Sequence, residues 1–221
     1  MGSSNQDLTP RARIRNAALS EFAATGLTKT TIRSIATRAG VSPALVIHHF
    51  GSKDGLRAAC DEHLLHWLRA EKTAAFSGVQ LPTRAEYMRT HPDFVVLYNY
   101  LRRVMTEGGP AADKLFDQFV ADAESYLALG EKAGTIRPSQ DPRARAVVST
   151  AIGLGLLAFD QQIARHLGGE SLLEPSILDR YVAYAVDFYT HGMLTTPISF
   201  ADSPEPDQDK NQERSPHPRT E

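Results

Sequence analysis

Cysteine is almost absent from this chain of 221 residues, in which Cys60 is the single copy. One thiol cannot close a disulfide within the chain, which excludes a disulfide-stapled scaffold and favours a reducing compartment. A secretory signal is also lacking, because the first residues, MGSSNQDLTPRARIRN, contain no apolar core segment. The longest strongly apolar run without charge, Ala146 to Phe159, has fourteen residues and is too short to span a bilayer. We therefore expect a soluble, cytoplasmic protein with no membrane partner.

The two signs of charge nearly balance over the whole chain but not along it. Residues 1–60 hold eight basic and three acidic residues, a net +5, so that the remaining 161 residues carry −7 of the total −2. A basic N-terminal segment joined to a larger acidic remainder suggests that the N-terminal segment binds a polyanion. A solvated basic face without function is the alternative, and charge alone favours it.

Strand-like alternation is absent as well, and apolar residues recur at helical spacing instead, which predicts an all-α fold. Glycines end the first three predicted helices at Gly26, Gly40 and Gly51, and Ser52 can cap the fourth. Further helices are expected over 94–105, 111–129, 143–167 and 173–193. Residues 201–221 have no aliphatic or aromatic residue except Ala201, so this segment is expected to be a disordered tail.

The second and third predicted helices form a helix-turn-helix pattern. On a helical wheel, Val46 and Phe50 lie together on the side that faces the core, whereas Ala44 and His48 point away from it. A short helix with such an outward face can enter the major groove of DNA. The start of the second helix, at Thr30 and Thr31, offers free N–H groups and hydroxyls that can hold a phosphate. Lys53 can hold another phosphate on the other side.

Residues 11–56 resemble the DNA-binding domain of the TetR (tetracycline repressor) family of bacterial regulators. The resemblance is carried by RIRNAALSEFAATG (13–26), TTIRSIATRAGVS (30–42) and PALVIHHFGSKDGL (43–56). It is specific, because the helix-turn-helix, the HHF ending and the following SKDGL all occur at the family's spacing. Ile47 departs from the pattern, since many members have at this position a tyrosine that contacts a phosphate. We expect Ile47 to touch a thymine methyl or the sugar instead.

The resemblance implies which residues contact DNA. Phosphate contacts are implied for Thr30, Thr31 and Lys53. Contacts to base edges or the groove are implied for Arg33, Ser42, Pro43, Ala44, Leu45 and His48, and for His49, where packing competes with contact.

The resemblance also implies how the chain is divided and how it works. A helix-turn-helix domain (1–56) is followed by a ligand-binding and dimerisation domain (57–200) and the tail (201–221). We expect a homodimer that binds a palindromic operator, most simply as a repressor, and that a largely apolar small molecule releases. The last two long helices are expected to dimerise, with small residues such as Gly153 and Gly155 admitting a partner helix. No cofactor is expected.

The aromatic side chains of the larger domain have two interpretations. Ordinary core is the simpler one for each of them. Together they can enclose an apolar pocket for the ligand. The residues concerned are Phe94, Tyr98, Tyr100, Phe116, Phe119, Tyr126 and Phe159.

Two other classes of function remain open at this point. Cys60, His63 and His66 recur at intervals of three residues, a spacing that a metal site or a helical enzyme could use. Four strong ligands at close spacing are absent, however, and nothing marks an oxyanion hole. A DNA-binding regulator controlled by a protein partner is the other alternative.

Overall fold

The computed structural model describes residues 9–76, 84–193 and 195. These residues form ten helices and no strand, as the hydrophobic periodicity predicts. The helices are α1 (Pro10–Thr25), α2 (Ile32–Ala39), α3 (Pro43–Phe50), α4 (Lys53–Phe76), α5 (Arg84–Thr90), α6 (Phe94–Glu107), α7 (Pro110–Ala133), α8 (Pro142–Ala158), α9 (Asp160–Leu167) and α10 (Pro175–His191). The predicted tail, 201–221, lies outside the described residues.

Two compact units divide the chain between Leu178 and Asp179. The first unit holds α1 to α9, and we call α1–α3 the head and α4–α9 the body. The expected boundary near residue 56 does not separate two cores, because one hydrophobic cluster runs from Ile14 in α1 to Leu157 in α8. The division into a DNA-binding domain and a ligand-binding domain near residue 56 therefore stays a prediction.

Local capping explains why the head's helices begin and end where the sequence predicts. The hydroxyl of Thr31 accepts from the Ser34 N–H at 3.1 Å, and Ser34 Oγ accepts from the Thr31 N–H at 3.2 Å, which closes a capping box on α2. Ser42 caps α3 by accepting from the Leu45 N–H at 3.2 Å, with Pro43 at the first helical position. Gly40 ends α2 in the left-handed conformation, with φ +66°.

The prediction of a single helix over 143–167 is wrong, because the structure has two helices there, α8 and α9, with a bend of 74° between them. The bend is fixed by tertiary contacts of Asp160, the first residue of α9. Its buried carboxylate accepts from the Leu172 N–H at 3.1 Å and from the Tyr98 hydroxyl at 3.3 Å. Periodicity continues through the break, so that the sequence gives no sign of it. Helix α5 was not predicted either.

No single helix in the described ranges is both long and apolar enough to cross a membrane. The bent pair α8 and α9 passes that test only when the two are taken together, by length and composition alone.

Helix α1 connects the head to the body, because it packs against α2, α3, α4 and α6. The ring of Phe22 lies 6.1 Å from the ring of Tyr100 on α6, and both side chains are fully buried. Tyr100 satisfies its buried hydroxyl by donating to Asp61 Oδ1 of α4 at 2.6 Å. Burial, with the neighbouring Asp61 charge, raises the pKa of Tyr100, and burial raises the pKa of Asp61. The phenol therefore stays a donor.

A second connection joins the end of α6 to the turn after α1. The carboxylate of Glu107 accepts from the Leu27 N–H at 3.1 and 3.3 Å, and Arg103 lies 3.7 Å from the same carboxylate. Gly26 makes this approach possible. A Cβ at Gly26 would lie 2.5 Å from Glu107 Oε1, and its φ of +91° is unfavourable for any other residue.

Replacing Gly26 tests this connection. We expect Gly26→Ala to lower the free energy of unfolding by about 2–3 kcal/mol, because the methyl group displaces the Glu107 carboxylate from the Leu27 N–H and adds backbone strain. The matched control is Gly40→Ala, whose φ is also positive but whose Cβ would meet nothing within 4 Å. Strain alone should cost the control about 1 kcal/mol. Urea denaturation of both variants measures the difference, and equal losses would mean that Glu107 does not constrain the turn.

Candidate nucleic-acid interface

Helix α3 presents one face to solvent and the other to the core of the head, as the wheel predicts. Val46 is fully buried, whereas Ala44, Ile47 and His48 are exposed. Ser42 and Pro43 at its start are exposed too. The outward face therefore has a hydroxyl, small apolar groups and an imidazole, a mixture that can meet base edges and thymine methyls.

Three other residues that are predicted to contact DNA, one on α2 and two on α3, differ in their solvent exposure. Arg33 on α2 is exposed. Leu45 is half-buried and packs against the core of the head. His49 is half-buried too, and its Nε2 is buried with no hydrogen-bond partner among the described residues. Its ring lies edge-on to that of His48 at 5.4 Å, so that it borders the exposed face.

Thr30 and Thr31 at the start of α2 are both predicted to contact phosphate, but they differ in how exposed they are. Thr31 is exposed at the N-cap, beside the free N–H groups of the first turn. Thr30 is only 2% exposed, and its hydroxyl donates to the Gly26 carbonyl at 2.7 Å and lies 2.7 Å from the Thr25 hydroxyl. Contact between Thr30 and a phosphate stays a prediction. In this structure the Thr30 hydroxyl already donates its proton to the Gly26 carbonyl within the turn.

Lys53 at the start of α4 lies beside the turn that precedes α2. Its Nζ donates to the Thr28 carbonyl at 3.1 Å, which uses one of the three donors of the ammonium group. Two donors remain for a phosphate. Lys29 and Arg33 are exposed nearby in sequence, so that the segment 28–33 and the start of α4 together carry three cations. Lys29 is one of the eight basic residues of 1–60, and the sequence pattern does not predict it as a DNA contact.

The Cys60, His63 and His66 spacing does not bring together a reactive group. Cys60 is fully buried, with its Sγ 3.8 Å from the Arg15 carbonyl, and burial raises the pKa of its thiol. A nucleophilic cysteine requires the opposite shift. Burial lowers the pKa of His63, and His66 is exposed. Within the described ranges, no three His, Cys, Asp or Glu side chains are arranged to hold a metal ion.

The aromatic residues of the body belong largely to its packing. Tyr100 is core, Phe94 packs on Trp67 with ring centres 5.9 Å apart, and Phe116 and Tyr126 border a smaller core between α7 and α8. Phe159 is 58% exposed at the bend after α8. The pocket that these residues were expected to enclose stays a prediction.

A helix-turn-helix whose second helix exposes one face to solvent, joined to an all-helical body, defines the class of helix-turn-helix transcriptional regulators. Sequence comparison narrows the class. The family described as "Bacterial regulatory proteins, tetR family" matches residues 14–60, and "Tetracyclin repressor-like, C-terminal domain" matches residues 93–195. The chain is 40% identical over 189 residues to the HTH-type transcriptional regulatory protein RaaS of Mycobacterium tuberculosis, covering 85% of this chain and 88% of that protein.

This chain therefore belongs to the TetR family of ligand-responsive, DNA-binding transcriptional regulators. Solved structures share its fold. A TetR-family transcriptional regulator from Rhodococcus sp. has a TM-score of 0.59 at 20% identity, over 81% of this chain and 97% of its own. SmeT, the repressor of the Stenotrophomonas maltophilia multidrug efflux pump SmeDEF, has a TM-score of 0.53 at 22% identity, over 84% and 91%.

The two threonines at the start of α2 give a matched test of structure against contact. We expect Thr30→Val to lower the free energy of unfolding by about 1–3 kcal/mol, because the Gly26 carbonyl loses the hydroxyl that donates to it. Operator affinity of the folded protein should change little. Thr31→Val should lose about 1 kcal/mol from the cap and also weaken operator binding. Thermal unfolding and fluorescence anisotropy measure the two effects, and a large affinity loss in folded Thr30→Val would establish a phosphate contact there.

Proposed function

We propose that the protein is a homodimeric repressor that binds a palindromic operator and is released by a small molecule. The observation that carries this proposal is the outward face of α3, where Ala44, Ile47 and His48 are exposed around a helix held in place by buried Val46. Two such helices in a symmetric dimer would read two half-sites about one helical turn apart. Occupying a promoter in this way is the simplest route to repression.

Proposed DNA contacts follow from exposure and charge. Base edges would be met by α3 through Ser42, Pro43, Ala44, Ile47 and His48, with Leu45 and His49 at its border. Thr31 and Lys53 would hold phosphates on either side, with Arg33 reaching into the groove. Thr30 is a further proposed phosphate contact, which the Thr30→Val variant tests.

A selection of bound fragments from genomic DNA of the source tests the proposal directly. It should yield one enriched sequence with two-fold symmetry, and transcription in vitro from a promoter that contains it should fall when the protein is added. Enrichment without symmetry would contradict the dimer, and increased transcription would contradict repression.

His48 offers the sharpest test of the groove assignment. We expect His48→Ala to weaken specific binding by about 1–3 kcal/mol while leaving non-specific binding nearly intact. Lys53→Ala should weaken both kinds of binding and reduce the salt slope by about one. His166→Ala, which removes an exposed histidine of α9, is the matched control. Anisotropy titrations at several salt concentrations distinguish the three variants, and parent-like operator affinity in His48→Ala would contradict the assignment.

An exposed apolar face on α8 supports the proposed dimer. Val147, Val148, Ile152 and Phe159 are 37–58% exposed, and with Gly155 they lie on one side of the helical wheel. Buried Ala146, Thr150 and Leu157 lie on the other side. In the second unit, α10 likewise exposes Val182, Val186, Phe188 and Tyr189. Apolar side chains spaced along a helix face in this way are typical of an oligomer interface.

The effector would act by shifting a population between two arrangements of the head. Helix α4 is the proposed lever, because it begins beside the turn at Thr28 of the head and runs through the core that the head and the body share. A ligand that prefers the arrangement with wrongly spaced α3 helices would release the operator. Control by a protein partner has no specific observation in its favour.

Gly155→Trp tests the dimer. A Cβ at Gly155 meets nothing within 4 Å in the single chain, so that the tryptophan should be tolerated by the fold and should clash with a partner packed on α8. We expect a helical monomer by sedimentation and circular dichroism, with operator affinity reduced because the half-sites are no longer linked. Ala121→Trp, at an exposed position of α7, is the matched control. A stable dimer that still binds would refute the placement, and an unfolded chain would assign Gly155 to the internal core.

A further inference from the structure

A cleft of about 710 Å³ opens between the head and the body. Its walls are the first turns of α1, the end of α3 at Phe50, one side of α4 and the start of α7. Its volume is within the range of about 300–1,000 Å³ found for small-molecule sites. A molecule that fills it would touch both the head, through α1 and α3, and the body, through α4 and α7.

The lining of the cleft is more basic than acidic. Four cationic side chains, Arg11, Arg15, Arg69 and Lys114, face two carboxylates, Asp61 and Glu62. Asp61 is already engaged in part, since it accepts from the Tyr100 hydroxyl at 2.6 Å, lies 3.9 Å from Arg57 and is near enough to Lys114 for their charges to attract. The cleft therefore has a surplus of positive charge before His63 and His66 are considered.

Three of these cations have no carboxylate partner within 4.0 Å in the described ranges. The Arg15 guanidinium bonds the amide oxygen of Asn16 at 3.0 and 3.3 Å, the Arg11 guanidinium lies 5.4 Å above the Phe50 ring, and Lys114 is exposed. Arg69, by contrast, pairs with Asp122 at 2.7 Å. Arg15 is half-buried, and burial lowers its pKa. The nearby charge of Asp93 offsets part of this cost, but no carboxylate is paired directly with Arg15. A partly desolvated cation without a directly paired carboxylate gains from an added anion.

Apolar side chains line the same cleft beside the cations. Phe50, Leu65 and Leu115 are among them, so that one wall can cover hydrocarbon while the cations hold a charged group. We propose that this cleft binds an organic anion, with a carboxylate or phosphate group held by Arg11, Arg15 and Lys114 and an apolar body against Phe50, Leu65 and Leu115.

The position of the cleft gives such a ligand a means of acting on DNA binding. It contacts α1 and α3 on one side and α4 and α7 on the other, so its affinity depends on how the head lies on the body. By linkage, a ligand that prefers one arrangement shifts the protein toward it, and operator binding responds by the same factor. This coupling rests on the proposed function, whereas the binding site does not.

Three molecules with one tail separate charge from apolar attraction. Decanoate, 1-decanol and decyltrimethylammonium carry a negative, a neutral and a positive head, and calorimetry with the full chain and no DNA compares them. We expect saturable binding of decanoate, at least about tenfold tighter than that of decanol, as a charge-assisted bond implies, and no binding of the cation. Absence of saturable decanoate binding at about 1 mM, or equal affinity for decanol, would overturn the proposal.

Lys114→Glu locates the binding in the cleft. It should weaken decanoate binding about tenfold or more, whereas the same change at Lys132, exposed at the other end of α7, should alter it less than about twofold. Equal effects of the two variants would overturn the placement. Circular dichroism confirms that both variants keep the parent's helicity.

Operator titrations separate failure of this site from failure of the proposed function. Without decanoate, the parent and Lys114→Glu should bind the operator alike, and added decanoate should weaken binding by the parent more than by the variant. If Lys114→Glu weakens operator binding but not decanoate binding, its charge serves DNA and the proposal is overturned. Decanoate binding without any effect on the operator would overturn the coupling. A parent chain that binds no operator would contradict the proposed function alone.

Discussion

The burial of Phe22 against Tyr100 is the contact on which the rest of the structure depends. Helix α1 is at once a core helix of the head and the surface on which α6 packs, so the head has no separate core that would let it rotate freely. Burying each such side chain contributes about 1.5–3 kcal/mol. Several side chains of α1, α4 and α6 share that core. A change in the direction of α6 or α4 must therefore change the direction of the head.

Two polar contacts make that arrangement specific. Hydrophobic packing tolerates small slides between helices, but a buried hydrogen bond does not, because a half-made bond leaves a desolvated polar group. The bond from Tyr100, whose side chain is fully buried, to Asp61 fixes α6 against α4. The bond from the Leu27 N–H to Glu107 is partly exposed, so it holds α6 against the turn that leads to α2 less tightly. An alternative arrangement has to break such bonds and replace them. A head held in this way is suited to a few discrete arrangements.

Helices and their ends could be predicted from the sequence, because they depend on neighbours within a few residues. Ser42, Gly40 and Gly51 set the ends of α2 and α3, and the period of Val46 and Phe50 sets the inward face. Long-range contacts could not. Leu27 and Glu107 are 80 residues apart, and Asp160 bends an otherwise continuous pattern only because Leu172 and Tyr98 meet it. Thr30 and Thr31 are adjacent and identical in type, yet the turn buries one and exposes the other.

The same reasoning explains why the proposed DNA interface could be predicted from the sequence and the proposed ligand site could not. A recognition helix can be predicted from a short segment, because its cap at Ser42 and its inward and outward faces depend on that residue and the eight residues of α3. The cleft between α1, α4 and α7 has cations from residues 11, 15 and 114, each unremarkable on its own helix. They become a site only because Phe22, Tyr100 and Asp61 join α1 and α4 through α6, and because α7 packs on α4. A ligand in such a cleft would report on that packing directly, since moving the head would separate the groups that bind it.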